Sequence, residues 1–125
     1  MRLFVAAHIT PEFERFLRDM CCQLRSRGVS GRWTAPVSWH VTVLFLGEQG
    51  QEEAARLADV LDAELRGCPR FGLHYSGIHT FGRPPRVLIA HMHDSPDGAF
   101  AECATAVARA AVEAGLPLPK GVTKR

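Results

Sequence analysis

The order of strand-like and helical segments is the feature that most restricts how this chain can fold. Four short apolar runs predict strands, three amphipathic patterns predict helices, and their order is β-α-β-α-β-β-α. The sequence "GRPP" separates the last two strands, and its glycine and prolines predict a tight hairpin connection. Because strands and helices are mixed and a hairpin is present, we predict an α+β fold, with antiparallel-rich sheets and helices outside.

Start and stop signals flank the first and third predicted helices. Thr10 offers an N-cap oxygen, Pro11 suits the first helical position, and Gly28 follows the end of the first helix. We expect Ser95–Asp97 to open the third helix in the same way and Gly115 to stop it. The apolar stripes predicted to face the core are Phe13, Phe16, Leu17, Met20 and Leu24 in the first helix, Ala54, Leu57, Ala58, Leu61 and Leu65 in the second, and Phe100, Cys103, Ala104, Val107 and Ala111 in the third.

Two stretches share one layout, which suggests an internal duplication. "RLFVAAHITPEF", from Arg2, and "RVLIAHMHDSPDGAF", from Arg86, each run from an arginine through an apolar strand to a Pro-started helix. At 125 residues the chain suits one domain. We therefore predict a single domain over 1–125 with two lobes, the first about 1–67 and the second about 68–125.

Composition narrows the functional classes only in part. The net charge of +2 is too weak to indicate a polyanionic partner, but 13 of the 15 basic residues are arginine. A planar guanidinium suits phosphate, although a GC-rich genome would produce the same bias. The four cysteines form no C-x-x-C pair and are interpreted as reduced structural thiols. No apolar run approaches the roughly 20 residues that cross a bilayer, and the amino terminus reads as a strand, so we predict a cytoplasmic protein without a membrane partner.

The run "SWHVTVLFLG", residues 38–47, places polar chemistry inside an apolar strand. Alternation puts His40 and Thr42 on one face with Leu44 and Leu46. Side chains two apart on a strand face are about 7 Å apart, so an imidazole and a hydroxyl could touch different oxygens of one phosphate. Histidine exchanges protons near neutral pH and threonine donates a hydrogen bond. By itself this spacing could equally belong to two structural residues.

Three stretches taken together carry a family resemblance. In order they are "MRLFVAAHITPEF", "GRWTAPVSWHVTVLFLGE" and "GIHTFGRPPRVLIAHM". They resemble the RNA 2′,3′-cyclic phosphodiesterases, the LigT or 2′-5′ RNA ligase family of the two-histidine (2H) phosphoesterase superfamily. The resemblance covers residues 1 to about 116. Its most specific part combines Arg32, Trp33 and Pro36 with the His40–Gly47 run, and Phe81–Leu88 supports it independently.

The resemblance implies metal-independent hydrolysis of a 2′,3′-cyclic phosphate, at RNA ends or on small nucleotides, to a 2′-phosphate, without a cofactor. Two H-x-T motifs, one in each pseudo-symmetric lobe, would face each other across a cleft. One histidine would act as general base on water and the other as general acid for the leaving ribose oxygen, while the threonines hold phosphoryl oxygens. It implies that His40 is the first histidine, most often assigned as the proton donor, with Thr42 its partner. The reverse of a related reaction would join RNA ends by a 2′-5′ bond.

The second motif of the family, "F-x-P-H-x-T-L-A-R", is expected after the third helix, where the chain reads "LPLPKGVTKR". His40 lies 40 − 28 = 12 positions after Gly28, and 115 + 12 = 127 lies two beyond the last residue. A second alignment sets Gly121 and Thr123 against the motif's histidine and threonine. Either way we expect an incomplete second lobe with an open sheet edge, impaired activity and self-association through that edge.

Among the remaining histidines, His79 is the one that could replace the histidine expected in the second motif. His79 is expected to share a strand face with Tyr75, Gly77 and Phe81 and to line the cleft. We predict that His79, Phe81 and Arg86 bind substrate.

A metal site is not predicted from the sequence. His91 and His93 share a strand face, but no third ligand follows at a recognisable spacing. His8 and His74 are interpreted as structural. Two alternatives to an active enzyme stay open: a noncatalytic module that binds RNA ends or phosphate, and a truncated fragment of a two-motif enzyme.

Overall fold

A computed structural model describes residues 1–84 and 86–118. The strands are β1 (Arg2–His8), β2 (His40–Glu48), β3 (Gly72–Phe81) and β4 (Val87–Ser95), and the helices are α1 (Pro11–Ser26), α2 (Gln51–Leu65) and α3 (Ala99–Glu113), with a 3₁₀ turn at Pro36–Ser38. The predicted α+β class is confirmed. In the part of the chain that the structure describes, none of the helices is both long and apolar enough to span a membrane.

The strands form two two-stranded sheets within the described residues. β1 pairs with β2, and Met1 and Gln49, which flank these strands, exchange backbone hydrogen bonds of 2.9 and 3.1 Å. Facing residues of antiparallel strands exchange hydrogen bonds in this way. β3 and β4 are antiparallel, as the hairpin prediction requires, and Ser76 forms a bulge in β3.

The chain divides into two compact units. The first unit is Phe4–Phe45, and the second unit joins Met1–Leu3 to the chain from Leu46 onward. The boundary runs through β1 and β2, whereas the sequence suggested lobes that meet near residue 67. The prediction of a single two-lobed domain stays a prediction.

Helix α1, in the first unit, begins and ends as predicted. The Phe13 N–H donates to Thr10 Oγ1 at 3.1 Å, and Pro11 occupies the first turn. At the other end Gly28 has a φ of 88°, a conformation that glycine adopts without strain. No residue of α1 is fully buried, and Phe16, a member of the predicted inward stripe, is 44% exposed.

Most of the buried apolar residues lie on α3, which packs against α2 in the second unit. The prediction for α3 was partly wrong, because Val107 and Ala111 are buried but Phe100, Cys103 and Ala104 are only half-buried. Small alanines allow the helices to approach closely, so burial extends beyond one narrow stripe. The buried residues of α3 are Ala99, Ala106, Val107, Ala108, Ala110 and Ala111, and in α2 only Leu57 of the predicted stripe is buried.

Helix α3 does not begin at Ser95–Asp97, contrary to the sequence expectation. Ser95 is still the last residue of β4, and the helix starts at Ala99 after Gly98, whose φ is 88°. The capping role passes to Asp94, whose Oδ2 accepts the Phe100 N–H at 2.7 Å. This hydrogen bond is the main cause that lowers the pKa of Asp94. A carboxylate is also favourable beside the positive end of a helix.

Thr10→Ala tests the capping of α1. The variant leaves the Phe13 N–H without its side-chain acceptor, so we expect a loss of about 1 kcal/mol in the free energy of unfolding. Chemical denaturation measures it. Thr34→Ala, at an exposed loop position, is the control and is expected to change stability by less than about 0.5 kcal/mol. Equal effects of the two substitutions would contradict the capping role.

Asp94→Ala tests the cap of α3 through its pH dependence. A lowered pKa means that the Asp94 carboxylate stabilises the fold above the ordinary aspartate value of 3.8, and that this stability is lost as pH falls through the lowered pKa. The stability difference between wild type and Asp94→Ala should therefore shrink as pH falls below 3.8. Asp94→Asn, which keeps an oxygen acceptor but cannot titrate, is the control. A difference that stays constant from neutral to acidic pH would contradict this assignment.

Candidate functional site

A short turn fixes the backbone immediately before His40. Pro36 opens the 3₁₀ turn, the Ser38 N–H donates to the Ala35 carbonyl at 2.9 Å, and the Trp39 N–H donates to the Pro36 carbonyl at 3.0 Å. Proline pre-sets the φ that such a turn requires. β2 then begins at His40, so the turn delivers this histidine at the first position of the strand.

The imidazole of His40 is bound through one of its two nitrogens. Its Nδ1 lies 2.7 Å from the carbonyl oxygen of Ser38. A carbonyl can only accept, so Nδ1 must carry the proton and donate. The lone pair of the neutral ring is then on Nε2, which is the nitrogen left for proton transfer. His40 is exposed to solvent, as proton exchange with a bound molecule requires.

Phe4 of β1 gives the same imidazole a second contact. The two rings are stacked, with centroids 5.1 Å apart and planes 25° apart, and Phe4 also lies 6.0 Å from the ring of Phe45. A hydrogen bond at one edge and an aromatic ring on one face together restrict the orientation of His40. Phe4 was missed in the sequence, because an apolar strand residue gives no sign of which ring it will meet.

Thr42 follows two residues later in β2 and is half-buried. Farther along, Leu44 and Leu46 are 7% and 3% exposed, whereas Phe45 between them is 64% exposed. This alternation matches the predicted faces in the second half of the strand. The joint action of His40 and Thr42 on one phosphate stays a prediction.

Trp33, part of the most specific sequence stretch, has a structural contact. The guanidinium carbon of Arg25, near the end of α1, lies 4.7 Å from the centre of the Trp33 ring. Such a cation–π contact holds the loop before β2 against the end of α1.

His8 and Thr10 form a second H-x-T spacing, in which the sequence pattern suggested a structural role for His8. His8 is the last residue of β1 and is exposed. Thr10 differs from Thr42 because its hydroxyl oxygen already caps α1 by accepting from Phe13. The same spacing therefore serves the start of a helix here.

The predicted substrate-binding residues lie on the β3–β4 hairpin, in the other compact unit. His79 and Phe81 share one strand face, opposite Ile89 and Val87, and Phe81 is 58% exposed. The Arg86 N–H donates to the Phe81 carbonyl at 2.7 Å and so helps to close the turn. Binding of substrate by these three residues stays a prediction.

The predicted face of β3 needs one correction. The bulge at Ser76 places Tyr75 opposite Met92 and Gly77 opposite His91, so Tyr75 lies on the other face from His79. One extra residue reverses the alternation, which the sequence pattern did not reveal.

The second-motif positions Gly121 and Thr123 lie outside the described residues. Over 1–84 and 86–118, no three histidine, cysteine, aspartate or glutamate side chains form a group that could hold a metal ion.

Comparison with known proteins gives consistent matches. The sequence model of a family described as LigT-like phosphoesterase matches residues 8–89. The RNA 2′,3′-cyclic phosphodiesterase of Thermotoga maritima is 30% identical over 90 residues, which are 70% of this chain and 48% of that protein. The protein of the same name from Archaeoglobus fulgidus is 36% identical over 91 residues, 70% of this chain and 49% of its own length. The chain thus spans about half the length of the curated relatives it matches.

The tautomer of His40 can be measured directly. We expect two-bond ¹H–¹⁵N correlations at neutral to mildly alkaline pH to show a protonated Nδ1 and a bare Nε2 for His40, because the Ser38 carbonyl holds the Nδ1 proton. His40→Gln identifies the resonance. A neutral His40 with its proton on Nε2 would contradict the geometry described above.

Proposed function

The chain belongs to the LigT-like phosphoesterase family, and from that premise we propose that it hydrolyses 2′,3′-cyclic phosphates, at RNA ends or on small nucleotides, to 2′-phosphates. The two relatives bear the name RNA 2′,3′-cyclic phosphodiesterase. The observation that carries the proposal is the bound Nδ1 of His40, which leaves Nε2 as the single nitrogen for proton transfer.

In the proposed reaction a water oxygen attacks phosphorus and the bond from phosphorus to the ribose 3′-oxygen breaks. The protonated His40 donates its Nε2 proton to that leaving oxygen, and the proton of the attacking water passes to solvent. The Ser38 carbonyl continues to accept from Nδ1 throughout, which also stabilises the imidazolium before transfer. The Thr42 hydroxyl donates to a non-bridging phosphoryl oxygen, where negative charge increases in the transition state.

Substrate recognition forms the second part of the proposal. The exposed ring of Phe81 offers a surface on which a base can stack. The Arg86 guanidinium provides a planar, charged donor for phosphate oxygens, and His79 adds a ring nitrogen on the same strand face as Phe81. RNA with a cyclic phosphate end, or a small cyclic nucleotide, is the partner that this chemistry suits.

The rate expected of this 125-residue chain is low. In the proposed reaction His40 supplies one proton transfer and water the other, without a second positioned acid or base from the described residues. The absence of one such group costs about 10²- to 10⁴-fold. A slow enzyme is therefore the expected result when this chain is assayed alone.

Turnover of 2′,3′-cyclic AMP, with the product identified by ³¹P NMR, tests the proposal. We expect slow formation of the 2′-phosphate, reduced about 10²- to 10⁴-fold by His40→Ala. Thr42→Val, which keeps the shape of the side chain but removes the hydroxyl, should reduce kcat about 10²- to 10³-fold. His8→Ala is the matched control, because it alters the other H-x-T spacing, and it should retain the wild-type rate.

Several outcomes would change the assignment. Equal turnover by wild type and His40→Ala would remove His40 from the mechanism. Binding of an oligonucleotide with a 2′-phosphate end, without any hydrolysis, would instead identify a noncatalytic RNA-end-binding module. Self-association through the second lobe is a separate part of the proposal, and a concentration-independent monomer mass in sedimentation would contradict it.

A further inference from the structure

Four exposed histidines lie together on one face of the β3–β4 hairpin. The register places His74 directly opposite His93, and Gly77 opposite His91, while His79 follows two residues after Gly77. The bulge at Ser76 is what brings His74 and His79 to the same face. The sequence pattern had linked His91 to His93 along β4, but the close contacts run between the strands.

The His74–His93 pair lies close to the separation of two imidazole ligands on one metal ion. The ring centroids are 5.4 Å apart and the planes are inclined by 35°. Bonds of about 2.1 Å from a metal to two neighbouring imidazoles hold their centroids roughly 4.5–5.3 Å apart. Both rings are exposed, and the paired backbone keeps the two side chains next to each other.

The neighbouring pair, His79 and His91, is arranged differently. Its rings are stacked, with centroids 4.3 Å and planes 25° apart. Stacked rings present their nitrogens side by side rather than towards a common point. In addition, Nδ1 of His91 is already 2.8 Å from the hydroxyl of Ser76. This pair is less suited to chelation and serves as an internal comparison.

We propose that His74 and His93 form a two-histidine site for a late first-row divalent cation, of which Zn²⁺ is the case to test. Imidazole nitrogen suits Zn²⁺, Ni²⁺ and Cu²⁺ better than it suits Mg²⁺ or Ca²⁺. Water completes the coordination, because across the described ranges no third protein ligand joins the pair. The neighbouring Asp94 lies on the other face of β4, and its Oδ2 is held by the Phe100 N–H. The site is independent of the hydrolysis proposed above, which uses no metal.

Calorimetric titration of the chelator-treated full chain with Zn²⁺ at neutral pH tests the site. We expect one Zn²⁺ per chain to bind in a way that depends on both histidines. Because the loss of even an outer-shell partner costs about 10- to 100-fold in metal affinity, His74→Ala and His93→Ala should each weaken binding at least tenfold. His79→Ala, on the same strand face, is the matched control and should bind Zn²⁺ as wild type does.

A second readout uses the unsubstituted chain. Zn²⁺ should shift the imidazole ¹⁵N resonances of His74 and His93 and leave those of His79 in place. The site would be overturned by unchanged binding in His74→Ala and His93→Ala, which would place Zn²⁺ elsewhere, for example on a free cysteine. Loss of binding in His79→Ala alone, or no binding by the wild type, would overturn it equally.

Discussion

The hydrogen bond between His40 Nδ1 and the Ser38 carbonyl decides what the candidate site can do. It lies between residues two apart in sequence, so it depends on local backbone geometry, which the Pro36–Ser38 turn supplies. Because this hydrogen bond occupies Nδ1, only Nε2 of the two ring nitrogens is left to transfer a proton. The aromatic contact from Phe4 then restricts the remaining rotation of the ring. Few interactions are needed because the strand itself fixes the position of the backbone.

Local signals in the sequence were sufficient for part of the fold. The boundaries of α1 were predictable because Thr10, Pro11 and Gly28 act on their nearest neighbours. The start of α3 was not, since Ser95 was already committed to β4 and a residue one position earlier, Asp94, supplies the cap. A polar residue followed by proline therefore starts a helix at Thr10 but not at Ser95, because Ser95 is paired in β4.

The candidate site was predictable to a similar extent. The spacing and the family resemblance predict His40 and Thr42 as site residues, and their role stays a prediction. The contact of Phe4 with His40 could not be predicted, because it requires the two strands to be paired. The histidine pairs of the hairpin depend on register and on one bulged residue, neither of which leaves a recognisable pattern. The alternation of side chains between the two faces of a strand can be predicted as far as a bulge, but beyond the bulge each residue lies on the opposite face from the one predicted.

The small side chains of α3 restrict how this sequence can vary. Ala110 and Ala111 have no exposed surface and Val107 has almost none. Because alanine side chains are short, the neighbouring residues pack close to the backbone of the helix at these positions. Added methylene groups in such a position typically cost about 1–3 kcal/mol, because neighbouring groups must move. Substitution at Ala110 and Ala111 is thus confined to residues of alanine's size or smaller, whereas the exposed strand positions that carry the histidines can change without such a packing cost.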